Sequence, residues 1–560
     1  MLKAATARSL HAALGELRAA LAGARLDLEA PGAPGIRRLR RELVAQIDDY
    51  LRPRLADVEA PLLVVVGGST GAGKSTLVNS IVGWEISPAG VVRPTTRVPV
   101  LVCNTADLDW FSINRVLPEF ARRARPRSDE EKVLRVVGDE DLPPGVALLD
   151  APDIDSVVRK NRDVSSQLLA AADAWMFVVT AARYADAIPW DFLREASERK
   201  VSLVVVLNRV PEEAEREVPD DLIDRLVAEG LEGITVFVVP ESELDDGLLP
   251  EDNVGPLWDW VDGLGTRRRS RRAMVLATLN GTLDSFGPRV EAVAAQIDWH
   301  RRQIDDLRIG LKEVFSQTVL ELEEALSDGL LLRGEALARW EELLGSGELT
   351  TGASSAADWL RDRVAYAFSS RPWAAQEVRE AIESNFLTVV NDAFDRGARR
   401  ARELIDSSPA RSLARGKPDL GQAGASSEED ATEQLREWQR HAEQLASDQS
   451  TARQTSDRLL SLGVDGVALG VMLAALSEPR GHRAPPPPGP ALGKTRELLV
   501  LLFGDEGAHE LIARARRFLL ERVRTLTQHE RGRYQGFLDS VAPEEPAEIR
   551  AAARAVQEAR

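Results

Sequence analysis

The 560-residue chain has one cysteine, Cys103, which excludes an intramolecular disulfide framework and any multi-cysteine zinc site. Its six histidines stand at no metal-ligand spacing. Nowhere does an apolar run approach the roughly 20 residues of a membrane-spanning helix. Near the start, Arg8, Glu16 and Arg18 interrupt the apolar core that a secretory leader needs, which predicts a cytoplasmic protein. Positive charge is also in deficit. Lys and Arg number 71 against 89 Asp and Glu, a net charge of −18, so no nucleic-acid partner is expected. What the chain does have is 44% hydrophobic and 29% charged residues, the balance of folded domains. Its length exceeds what one core organises, so about two to four domains are expected.

Leu10, Leu14, Leu17 and Leu21 recur at helical spacing, and after the break Pro31-Gly32-Ala33-Pro34-Gly35 a second such face runs through Leu39, Leu43, Ile47 and Leu51. From Pro61 to about Gly265 the texture changes. Short β-branched runs at 62–66, 98–103, 146–149, 175–179, 203–207 and 234–239 alternate with helical stretches. That alternation predicts an α/β domain, a mostly parallel sheet with helices on both faces. Beyond Gly263-Leu264-Gly265 the strands stop, and long amphipathic helices are predicted at about 273–344, 356–405, 431–462 and 510–527. The expected division is therefore 1–58, 59–265 and 266–560. The N-terminal helices have no partner of their own, so they are expected to pack with the C-terminal helical region around 510–527 and beyond, with residues 263–265 as a hinge. Residues 462–476 and 498–503 are apolar nearly all round, which fits either a helical core or a membrane-contacting tip at about 460–505. Two arginine clusters, 267–272 and 122–127, read as solvated segments or as sites for phospholipid head groups.

The motif that carries chemistry is Gly68-Ser69-Thr70-Gly71-Ala72-Gly73-Lys74-Ser75, which satisfies G-x-x-x-x-G-K-[ST] between a predicted strand and a predicted helix. Its glycines let backbone N–H groups turn inward around phosphate oxygens at a helix N-terminus. Lys74 is placed to reach the outer phosphates, solvated until they arrive, and the Ser75 hydroxyl to bind Mg²⁺. Downstream, an apolar run ends in Asp150, where a carboxylate suits Mg²⁺ coordination but is also an ordinary turn signal. Thr96, in the loop between these elements, can meet the metal and the terminal phosphate as part of a switch, or can be a polar residue entering a strand. A fourth run, 203–207, leads into Asn208-Arg209-Val210-Pro211.

Taken in order, Gly68 to Ser75, Arg93-Pro94-Thr95-Thr96-Arg97, Asp150-Ala151-Pro152-Asp153 and Asn208-Arg209 resemble a translation-factor-class P-loop GTPase, and within that class most resemble bacterial dynamin-like proteins. The motifs cover about residues 60–245. The resemblance implies a GTPase using GTP and Mg²⁺, with nucleotide held by Gly68, Ser69, Thr70, Gly71, Ala72, Gly73, Lys74, Ser75, Thr76, Asn208 and Arg209. It implies metal contacts from Ser75, Thr96 and Asp150, catalytic roles for Lys74, Thr96 and Asp150, and Arg97 or Arg183 as an arginine finger. Self-association or pairing with a related GTPase, a membrane lipid as partner, and a peripheral position at the inner face of the cell membrane follow from the same likeness. A regulatory nucleotide switch, or an ATPase or scaffold with weak hydrolysis and no membrane role, is the alternative. Three positions depart from the family pattern: Asp153 replaces the glycine of D-x-x-G, Arg209 and Pro211 replace the lysine and aspartate of [NT]-K-x-D, and Thr70-Gly71 replaces the dynamin polar pair. Without the aspartate, guanine selectivity is expected to be weaker than usual.

Overall fold

The run from Leu62 is β-branched and apolar at successive positions because the strand it forms, β1 (Leu62–Gly68), is buried on both faces of a sheet. In the computed structural model, which describes residues 4–88, 98–126, 130, 132–154, 159–198, 201–327, 329–332, 334–344, 372–452, 463–477 and 490–560, that sheet has eight strands. They are β1, β2 (Val100–Asn104), β3 (Ala121–Arg122), β4 (Val133–Asp139), β5 (Val146–Asp150), β6 (Ala174–Thr180), β7 (Ser202–Val210) and β8 (Thr235–Pro240), in the order β3-β4-β2-β5-β1-β6-β7-β8. Every neighbouring pair is parallel except β2 with β5, which runs antiparallel with Val100 opposite Asp150. The sequence reading missed β3 and β4. β3 is only two residues long, and β4, as the second strand in from that edge, is half-buried over Arg135 to Gly138 rather than a continuous apolar run.

Side-chain alternation along β1 distributes the helices. Leu62, Val64 and Val66 pack on α4 (Lys74–Val82) and α9 (Glu251–Thr266) on one face. Leu63 and Val65 pack on the other face, in a core shared with α6 (Arg159–Ala170), α7 (Ala187–Glu198) and α8 (Glu217–Ala228). The chain forms two compact units, Met1–Leu26 with Gly32–Asp298 and Pro543–Arg560, and Asp27–Pro31 with Trp299–Ala542. The division falls inside the 60-residue helix α10 (Arg268–Ser327) rather than at 265/266. The reason is packing. Leu279, Leu283, Phe286, Val290 and Ile297 of α10 share one apolar core with α1 (Ala4–Gly23), α2 (Ala33–Gln46) and the last helix, Pro546–Glu558.

Residues 263–265, expected as a hinge, are helical. They continue α9, and a Cβ at Gly265 would lie 2.7 Å from Pro143, so this glycine permits close packing. The arginine cluster that follows is engaged within its own unit: Arg268 and Arg272 each donate to Glu59 at 2.8 Å, and Arg271 donates to the Gly265 carbonyl at 2.6 Å. Arg122 likewise spends its guanidinium on the carbonyls of Phe111, Val116, Leu117 and Phe120. At the start of β1, buried Arg54 pairs with buried Asp173 and donates to the carbonyls of Ala60 at 2.9 Å and Pro61 at 2.6 Å.

The second unit is helical, built from the rest of α10 with Glu335–Leu344, Pro372–Asp406, Ser427–Ala452, Gly463–Ser477 and Pro490–Val541, the last bent at Gly504, where φ is +76°. Its core takes in most of the apolar segment. Val467, Ala468, Leu469 and Val471 to Leu476 are all at most 3% exposed, and Leu498, Leu499 and Phe503 join them. In this structure residues 467–476 therefore lie in bundle core, with helices on every side, while Val464 and Leu501 are exposed. Trp438 donates to the Ala515 carbonyl at 2.8 Å and Trp340 to Thr495 at 3.0 Å, so the large rings of this core are polar-satisfied.

Candidate nucleotide-binding site

The loop between β1 and α4 is shaped by two glycines. Gly68 has φ +153°, and a Cβ there would stand 2.1 Å from the Val178 carbonyl oxygen of β6. Gly73 has φ +91°, and a Cβ there would meet the Asn208 amide at 2.5 Å. Both approaches are open to glycine alone. Between them Ser69 and Ala72 are buried, the Ala72 N–H donates to the Ser69 carbonyl at 3.1 Å, and α4 begins at Lys74. The N–H groups of the first turn of α4 and the helix dipole make this end anion-binding.

Lys74 is not solvated as expected. It is 4% exposed, and its ammonium donates to the Gly68 carbonyl at 3.0 Å, the Ser69 carbonyl at 3.1 Å and Asp153 Oδ1 at 2.5 Å. Without a bound anion, a buried ammonium needs internal acceptors, and the loop and the residue at the glycine position supply them.

Ser75 and Asp150 come together as the motif order requires. Ser75 Oγ donates to Asp150 Oδ2 at 2.7 Å, and so does Ser87 Oγ at 2.6 Å. Asp150 is fully buried at the end of β5, and desolvation pushes its carboxyl up, opposed by the two hydroxyl donors and by Lys74. Its Oδ1 is buried with no partner among the described residues. An unfilled carboxylate oxygen beside a serine hydroxyl is an all-oxygen donor set, which fits Mg²⁺. Ser87 escaped the sequence reading. Asn79 of α4 holds its segment, accepting from the Ile86 and Ser87 N–H groups at 3.0 Å and donating to the Ser87 carbonyl at 2.8 Å. An Asn facing inward from the helix after a phosphate loop was the available signal.

Asn208 lies at the end of β7, 3% exposed, and secures the loop from its other side. Its Nδ2 donates to the Ala72 carbonyl at 2.8 Å and its Oδ1 accepts from the Arg209 N–H at 3.0 Å. Arg209 is exposed with φ +57°, and Pro211 offers no acceptor side chain where the family has aspartate. Thr70, Gly71 and Thr76 lie on the loop and first turn and are half-buried. Arg183, in the turn after β6, donates to the Thr70 carbonyl at 3.2 Å and to Asp186 at 2.9 Å. Thr96 and Arg97 lie outside the described residues, so the geometry unites Lys74, Ser75, Asp150 and Asn208 and leaves that loop open.

A parallel-dominated sheet with a G-x-x-x-x-G-K-S loop at the carboxyl end of its central strand defines a P-loop nucleotide-binding domain. Residues 64–210 match the dynamin family. A probable transmembrane GTPase, FZO-like and chloroplastic, of Arabidopsis thaliana is 25% identical over 152 residues, which are 27% of this chain. The matched segment spans 15% of that relative's length. Among solved structures, an oligomerised bacterial dynamin pair, described as a mechanism for long-range sensing and tethering of membranes, covers 93% of this chain and 95% of its own at 12% identity, with a TM-score of 0.39. Toc33 from Arabidopsis thaliana, in complex with Mg²⁺ and GMPPNP, covers 41% of this chain and 94% of its own at 17% identity, with a TM-score of 0.24.

Proposed function

We propose that this chain binds GTP with Mg²⁺ at the β1–α4 loop, hydrolyses it, and uses the change of state to control association with a second copy or a related GTPase. The reading rests above all on one juxtaposition, the Ser75 hydroxyl 2.7 Å from a buried Asp150 whose second oxygen has no hydrogen-bond partner among the described residues, next to Lys74 at the head of α4. Ser75 and Asp150 would hold Mg²⁺, which when bound supplies charge neutralisation at phosphate oxygens. Lys74 and the N–H groups at the start of α4 bind the phosphates and stabilise charge as it develops. Asn208 keeps the loop in shape through Ala72, and Arg183, already on the Thr70 carbonyl, is a cis cation beside the loop. Thr96 takes the role of metal ligand and water-orienting residue from the switch segment of the family motif.

Guanine is preferred over adenine by a smaller margin than the full motif would give, since Pro211 removes a bidentate acceptor worth about 1–3 kcal/mol. Membrane association completes the reading as a peripheral contact from the cytoplasmic side. Among the described residues, no helix is long and apolar enough to cross a membrane. Contact through Gly463–Ser477 would require that helix to leave its core. The test is a competition titration of GTP, ATP and their diphosphates, followed by phosphate release at varied protein concentration. GTP binding with turnover that rises more than linearly supports the proposal. Equal or tighter ATP binding, or turnover strictly proportional to protein, overturns the guanine or the assembly part respectively.

A further inference from the structure

Lys74 carries three N–H bonds, and all three are used: two on the loop's own carbonyls and one on Asp153. A phosphate oxygen that is to receive a hydrogen bond from Lys74 must displace one of these acceptors. The carbonyls of Gly68 and Ser69 belong to a backbone that the Gly68–Val178 approach holds in place. The carboxylate is the partner able to leave. Its backbone cannot retreat: the Ala151 N–H donates to the Val66 carbonyl at 3.2 Å, the Ile154 N–H to the Gly68 carbonyl at 3.4 Å, and Ser165 Oγ to the Pro152 carbonyl at 2.8 Å. Only rotation of the Asp153 side chain clears the ammonium. Until it rotates, a second anion arriving at Lys74 meets a full negative charge within contact distance in a buried site, where repulsion is weakly screened.

We infer that Asp153 is an internal anion that occupies Lys74 in place of a terminal phosphate, and that it sets the preference of the site for a nucleoside diphosphate over the triphosphate. The inference rests on the GTP reading above. A diphosphate brings its β-phosphate alone to Lys74, with less negative charge set against Asp153 than the β- and γ-phosphates bring together. The triphosphate must break the Lys74–Asp153 pair, so its affinity is lowered by the cost of doing so. Asp153 is thereby a specificity-determining residue of this chain, at the position where the family carries an uncharged glycine.

The experiment is equilibrium titration of the full chain with fluorescent GDP and a fluorescent non-hydrolysable GTP analogue at fixed Mg²⁺, comparing wild type with Asp153→Asn and Asp153→Gly. Asparagine keeps an oxygen acceptor for Lys74 and removes the charge, so it controls for loss of folding. The expected result is a wild-type preference for GDP of about tenfold or more. In Asp153→Asn, affinity for the triphosphate analogue should rise about tenfold (about 1.4 kcal/mol) while GDP affinity moves less than about threefold. Binding by all three proteins with an unmoved ratio overturns the inference and leaves the GTP reading standing. Absence of any guanine-nucleotide binding by all three overturns both. Binding of the analogue by the variants alone supports both.

Discussion

Replacing a phosphate-loop lysine by alanine is ordinarily read as a loss of activity in an intact fold, and here it should loosen the fold as well. Lys74→Ala removes the countercharge of Asp153, which is 8% exposed, and the donor shared by the Gly68 and Ser69 carbonyls. Breaking a buried ion pair from one side costs about 3–5 kcal/mol, because the remaining charge stays desolvated and unpaired. Asp153 keeps a small opening to solvent, so the lower end, about 3 kcal/mol, is the appropriate figure. That corresponds to roughly a hundredfold in the equilibrium for local opening. Hydrogen exchange reads it directly at the amides of Lys74–Val82, where the Leu77 N–H donates to the Gly73 carbonyl at 2.9 Å in the first turn. Protection there should fall about a hundredfold in nucleotide-free Lys74→Ala, with the helical unit unchanged. The double variant Lys74→Ala/Asp153→Ala should recover most of the loss, since it leaves no orphaned charge. A loss of less than threefold in the single variant, or no recovery in the double, would refute the reasoning and return Lys74 to the solvated state that the motif alone suggests.

Arg54→Ala should destabilise the first unit by about 3–5 kcal/mol, because it strands Asp173 inside the start of the sheet, and urea denaturation followed by tryptophan fluorescence measures it. Asp49 supplies a pH dependence. Burial holds its carboxyl up from 3.8 to about 7, against the hydrogen bond from Gln167, so between those values the folded chain keeps a proton that the unfolded chain gives up. The stability this contributes is complete below about pH 4 and is lost as pH rises through about 7. Asp49→Asn should therefore be more stable than wild type at pH 8, by a few kcal/mol, and no different below pH 4 in parallel denaturation curves. In the helical unit, Leu469→Glu buries a charge at a fully buried position and should unfold that unit, whereas Leu501→Glu at 46% exposure should stay within about 0.5 kcal/mol of wild type. Circular dichroism melts separate the two outcomes, and equal melts would place 463–477 outside the core.

The phosphate loop was legible without a structure because its chemistry is local: two glycines, a lysine and a serine at fixed covalent spacing between an apolar run and a helix start. The sheet's interior strands were legible for a related reason, since burial on both faces demands consecutive apolar residues at 62–66, 146–149, 175–179 and 203–207. The parallel α/β class followed from their alternation with helices. What needed the tertiary structure were the contacts between residues far apart in the chain. Asp153 lies 79 positions from Lys74, Ser87 lies 63 from Asp150, and Asp173 lies 119 from Arg54, and no local pattern specifies which buried charge meets which. The division of the chain inside α10 was likewise hidden, because one continuous amphipathic helix shows no break where its packing partners change. The apolar stretch of helix 463–477 reads the same in sequence whether lipid or other helices surround it, since both remove it from water. Only its neighbours in the bundle decide between them, and here they enclose it from Val467 to Leu476.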